Sequence, residues 1–132
     1  MRRIHSGRRF GNDRGSTAVE FALVVPVILL IVFGAIEFGR LYNEQISLTS
    51  AARSAARVMA IGNDQGAAVT AAINSAPALN PAVSSAQVAF SAPACAAGGT
   101  MTVTISYQAQ LLTGWFGASL PLQGVGAMPC GG

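Results

Sequence analysis

The run FALVVPVILLIVFGAI, from Phe21 to Ile36, decides the fold because it holds sixteen residues without a charge. Counted across Glu20, Ala18 and Val19 lengthen the segment to nineteen residues, one of which is that glutamate. At about 1.5 Å per residue, a helix of this length matches a bilayer core of about 30 Å. The run therefore predicts one transmembrane helix, with the lipid bilayer as its surroundings.

The positive charge of the chain is concentrated before this helix. Five of the eight basic residues, all of which are arginines, precede residue 15, and the remaining three face four acidic residues. By the positive-inside rule, this asymmetry predicts a cytoplasmic N-terminus and a C-terminal part on the opposite side of the membrane. Because the net charge of +3 belongs to the leader, a nucleic-acid partner is not expected. The leader arginines are Arg2, Arg3, Arg8, Arg9 and Arg14.

The helical pattern continues past the apolar run. From residue 37 to Ile61, apolar or small residues recur every three or four positions and form one stripe, which ends before Gly62. We expect this stripe either to cover a sheet of its own domain, the favoured interpretation, or to contact related subunits. The alanines of AARSAAR, residues 51 to 57, are small enough for close helix packing, or are simply good helix formers on a solvated side. The predicted packing residues are Phe38, Leu41, Leu48, Ala52, Ala55 and Met59.

The remaining residues predict a small α+β domain. A short helix fits Gln65 to Ser75 with Asp64 as its cap, and residues 100–108 alternate apolar and polar side chains as a half-buried strand does. Residues 86–91 and, more weakly, 123–128 are further strand candidates. The fold class is therefore α+β: a long N-terminal helix packed on an antiparallel sheet of two or three strands. The predicted segments are a leader (1–15), a transmembrane helix (16–36), its continuation beyond the membrane (37–62) and a small domain (63–132).

Two cysteines, Cys95 and Cys130, have no metal-binding spacing. Outside the cytoplasm they would form a disulfide that closes a loop of 36 residues and contributes roughly 3 to 4 kcal/mol. Two unpaired thiols in a cytosolic core are the alternative.

Residues suited to catalysis are scarce. The single histidine, His5, lies in the leader, and neither a metal-ligand cluster nor a phosphate-binding loop is recognisable. We therefore expect no enzymatic activity, no cofactor and no metal. Trp115 and Phe116, in LLTGWFGASLPL, are candidate anchors for a partner protein, with burial in their own core or contact with the bilayer surface as alternatives.

The junction and the long helix resemble a known family. The segments GSTAVEFALVVPVILLIVFGAIEFGRLY and QISLTSAARSAARVMA, within residues 14–61, are similar to TadE-like proteins, the pseudopilins of the tight-adherence (Flp, type IVc) pilus. The resemblance implies that a prepilin peptidase cuts between Gly15 and Ser16, so that Glu20 becomes the fifth residue. It also implies that Glu20 pairs with the α-amino group of a neighbouring subunit and sets the register of assembly.

The chain is longer than the very short major Flp pilins, which favours a minor pseudopilin of TadE or TadF type. Its implied partners are the prepilin peptidase, other pseudopilins, the major Flp pilin and the inner-membrane assembly platform. The competing hypothesis is an uncleaved, membrane-anchored periplasmic module that binds another envelope protein.

Overall fold

The computed structural model describes residues 13–115 and 117–131. The predicted leader and Phe116 lie outside the described residues, except that the backbone of residues 13–15 is helical. The chain divides into two compact units, residues 1–35 and 36–132.

Helix α1, Asp13–Gly62, includes the whole apolar run and the predicted stripe, with Pro26 in its interior. In residues 15–35 nearly every side chain is exposed, including Phe21 at 69% and Ile31 at 62%. The helix is long and apolar enough to cross a membrane. Because so much apolar surface is costly in water, this segment requires lipid or other apolar surroundings.

The second unit adds helix α2, Gln65–Asn74, and a three-stranded antiparallel sheet to the end of α1. Asp64 caps α2 by accepting a hydrogen bond from the amide of Ala67 at 3.0 Å. The strands are β1 (Val88–Phe90), β2 (Thr100–Gln110) and β3 (Ser119–Pro129), in the order β1-β2-β3. The α+β prediction is therefore confirmed.

Strand β2 is the central strand and supplies much of the core. Its inward side chains are buried and alternate with more exposed ones, as the sequence pattern predicts. They pack with the apolar positions of α1 and with Ala68 and Ala72 of α2. The buried residues of β2 are Met101, Val103, Ile105, Tyr107 and Ala109.

Candidate functional site

The predicted processing site lies in the first turns of α1. Gly15, Ser16 and Glu20 are all helical and exposed. The carboxylate of Glu20 comes directly before the exposed apolar run, so a helix that inserts in lipid carries a negative charge at its N-terminal entry. A carboxylate at such a boundary is cheaper than at the bilayer centre and can bind a positive group there.

The predicted stripe divides into a buried and an exposed part. Leu48, Ala52, Ala55 and Met59 are fully buried in the core of the second unit, and Leu41 packs at its edge. Phe38, in contrast, is 71% exposed and lies outside this core. Its ring stacks on that of Tyr42, with 6.4 Å between the ring centroids. The buried residues thus cover the chain's own sheet, whereas the side chain of Phe38 faces away from the core.

Small residues bring α1 and β3 into close contact. Gly124 and Gly126 lie against the backbone of Leu48 and of Ala52 and Arg53, so a Cβ atom on either glycine would clash with the helix. The alanines of residues 51–57 are fully buried, and Ala52 lies at this contact. Their small size therefore serves helix-to-sheet packing inside the domain.

Three charged residues cluster where the apolar run ends. Arg40 donates from Nη1 to Glu44 Oε1 at 2.8 Å, and its Nη2 lies 3.8 Å from Glu37 Oε1. Both carboxylates are buried, with residue exposures of 6% for Glu37 and 7% for Glu44. Arg40 and Glu44 are four residues apart, a spacing that by itself predicts a pair on the surface of a helix, and this is wrong about Glu44 because the folded domain covers its side chain.

Glu37 also holds the connection between β2 and β3. The amide of Leu112 donates to both carboxylate oxygens of Glu37, at 2.9 Å to Oε1 and 3.1 Å to Oε2. The sequence pattern did not predict this structural role of Glu37. Its position directly after the apolar run, three residues before Arg40, was the available signal.

Tyr107 lies near this cluster. Burial raises the pKa of its hydroxyl above the ordinary value, the charge of Glu44 raises it further, and the charge of Arg40 opposes both. The hydroxyl donates to the carbonyl oxygen of Pro81 at 2.8 Å. Tyr107 therefore remains a neutral hydrogen-bond donor, and its role here is structural.

Comparison with protein families gives a match along the helix that carries these features. The family model described as TadE-like protein matches residues 15–57. Over this segment the chain is similar to TadE-like proteins. No curated protein and no solved structure matches the chain. The match confirms the resemblance found in the sequence, and the matched family is one of tight-adherence pilus proteins.

The TadE-like segment contains most of the candidate residues. It begins at Gly15, includes Glu20 and the charged cluster, and ends within the buried part of α1. The sheet and the cysteines lie outside it. The family is one of pilus structure and assembly, which is consistent with the expected absence of catalysis.

Outside the matched segment, Cys95 and Cys130 form the predicted disulfide, with a Cα–Cα distance of 5.6 Å. The amide of Cys95 donates to Asn63 Oδ1 at 2.6 Å, which ties the disulfide loop to the end of α1. Within residues 13–115 and 117–131, no group of three His, Cys, Asp or Glu side chains is placed to hold a metal. Trp115 is 62% exposed, so it does not lie in the core of the domain.

Proposed function

We propose that this chain is a minor pseudopilin of the tight-adherence pilus, of TadE or TadF type. A prepilin peptidase removes residues 1–15 and leaves Ser16 as the mature N-terminus. The apolar part of α1 then spans the inner membrane, with the folded unit on the periplasmic side. In this position the subunit helps to initiate or assemble the fibre and is incorporated in it or held at the assembly platform.

The observation that carries the proposal is the TadE-like match, which starts at the proposed cleavage site. Cleavage there makes Glu20 the fifth residue of the mature chain, directly before an apolar segment whose side chains are exposed. In a low-dielectric environment, an ion pair between this carboxylate and the α-amino group of a neighbouring subunit is directional, because either charge alone is penalised. The ion pair would therefore favour one register between adjacent helices.

The alternative is a permanently anchored periplasmic module that keeps its leader. Exposed Leu112 and Trp115 give this alternative a candidate binding surface. Processing separates the two functions, because a pseudopilin loses residues 1–15 and an anchor retains them.

The test is the mass and N-terminal sequence of the protein purified from its native membrane. We expect the wild-type chain to start at Ser16 and a Gly15→Leu variant to retain Met1. Gly11→Leu is the matched control, since it changes a glycine of the same leader and leaves the proposed cleavage site intact. It should start at Ser16.

The assembly step is tested with a Glu20→Gln variant, by comparing its amount in pilus assemblies with that of the wild-type chain. It should be cut normally but be depleted from pilus assemblies, because the amide carries no charge for the α-amino group. If the wild-type chain and the Gly15→Leu variant both retain the leader, the pseudopilin proposal is wrong and the anchored module replaces it.

A further inference from the structure

Two apolar side chains of the β2–β3 connection are exposed although the connection is fixed to the folded unit. Leu112 is 66% exposed and Trp115 is 62% exposed. The backbone beside them is held by the bond from the Leu112 amide to Glu37, a buried carboxylate that Arg40 also contacts. Two exposed apolar side chains this close together are typical of a surface that meets a partner or an apolar solvent.

The bond between the Leu112 amide and Glu37 sets the level of Leu112 and Trp115 relative to the end of the apolar run. Glu37 directly follows the last residue of the apolar run, Ile36, and so lies where that run leaves the hydrocarbon. The Leu112 amide is 2.9 Å from its carboxylate. Three residues of extended chain span at most about 10 Å, so Trp115 lies within about 10 Å of Leu112.

This distance is comparable with the thickness of the bilayer's polar layer. The headgroup region adds about 5 to 8 Å to each side of the hydrocarbon core. Tryptophan and tyrosine favour this layer because their rings are apolar and each carries one hydrogen-bond donor. Two aromatic residues of α1 just beyond Glu37, Phe38 and Tyr42, are also exposed.

We propose that Leu112 and Trp115 insert into the headgroup–acyl boundary of the leaflet that faces the folded unit. The occupant of this surface is lipid, because Glu37, which binds the Leu112 amide, directly follows the apolar run of a helix that is long and apolar enough to span the bilayer. The charged cluster of Glu37, Arg40 and Glu44 is then the support that keeps the connection at this depth. The proposal requires the apolar run to cross a bilayer and is independent of cleavage and of any role in a pilus.

Trp115 is the only tryptophan in the chain, so its fluorescence reports on this position alone. The full chain is reconstituted in phosphatidylcholine vesicles whose acyl chains carry bromine at a shallow or a deep position. We expect shallow bromine to remove most of the Trp115 emission and deep bromine to remove less. Emission typical of water, with no quenching by either lipid, would overturn the proposal.

Two relocated tryptophans provide matched controls in a Trp115→Phe background. Leu29→Trp places the reporter within the apolar run and should be quenched most by deep bromine. Arg57→Trp places it at an exposed position about 30 Å along α1 from Glu37, at about 1.5 Å per residue, and should remain unquenched.

The controls also separate the ways in which the proposal can fail. Quenching of the Leu29→Trp chain together with unquenched Trp115 means that the helix spans the bilayer and the connection does not touch it. Absence of quenching in both means that the run does not span, which also overturns the proposal. Trp115 emission that is shifted to shorter wavelength without quenching, and that reverts when the protein is diluted in lipid, would assign the surface to a second copy of the chain instead.

Discussion

At the scale of single residues, Arg40 is the charge on which two buried carboxylates depend. Replacing it with leucine leaves Glu37 and Glu44 without their cation, and removal of one member of a buried ion pair is strongly destabilising. Because 30% of the Arg40 side chain is exposed, water compensates part of this loss. We therefore expect Arg40→Leu to lower the free energy of unfolding by about 1 to 3 kcal/mol, measured by urea denaturation of the full chain in detergent.

Arg57→Leu is the matched control for this prediction. Arg57 is an exposed arginine of the same helix, and such surface substitutions typically change stability by less than about 0.5 kcal/mol. Equal losses for the two variants would mean that the cluster contributes nothing beyond an ordinary surface arginine.

The spacing of Arg40 and Glu44 is sufficient to predict their pairing but not the burial of Glu44. The pair is four residues apart on a helix, a spacing that any sequence displays directly. The burial of Glu44 depends on the folded domain, and the second role of Glu37 depends on Leu112, which is 75 residues away. Local periodicity carries no information about contacts at that separation.

At the scale of elements, the packing of β3 on α1 depends on two glycines. A methyl group at Gly126 would clash with the backbone of Ala52 and Arg53, which cannot move aside as a flexible side chain can. We expect Gly126→Ala to lower the free energy of unfolding by at least about 1 to 3 kcal/mol, the usual cost of overpacking a core. Thermal unfolding followed by circular dichroism measures the change.

Gly39→Ala is the control, because we expect it to leave the free energy of unfolding unchanged or to raise it. Gly39 is a helical residue with open space around its Cβ position, and alanine is favoured over glycine in a helix by about 1 kcal/mol. This variant should be as stable as the wild type or more stable. A Gly126→Ala chain that behaved in the same way would show that β3 and α1 can separate without cost.

The same glycines explain why β3 was the least certain strand in the sequence. Its two buried positions before Met128 are Gly124 and Gly126, so the alternation of apolar and polar side chains is missing where the strand packs best. In β2 the inward positions are large and apolar, and the predicted range of 100–108 falls only two residues short of the observed end at Gln110. Periodicity thus finds a strand when side chains fill the core and fails when the helix backbone fills it instead.

At the scale of the whole molecule, the disulfide between Cys95 and Cys130 is informative because its stability depends on the compartment of the folded unit. Cys95 and Cys130 enclose β2 and β3, and the Cys95 amide is bonded to Asn63 at the end of α1. Disulfides persist in the periplasm but are reduced in the cytosol. The state of these two thiols in the native membrane therefore reports on which side of it the folded unit lies.

We expect both cysteines to resist alkylation in protein taken from native membranes, and to react only after unfolding in the presence of a reductant. A Cys95→Ser/Cys130→Ser chain should unfold with about 3 to 4 kcal/mol less free energy, because a loop of this length is no longer closed in the unfolded state. Wild-type protein kept reduced is the matched control and should lose a similar amount. Cysteines that react after unfolding without any reductant would place the folded unit in the cytoplasm, opposite to the orientation that the arginines of the leader predict, and the proposed assembly role would then lack its periplasmic domain.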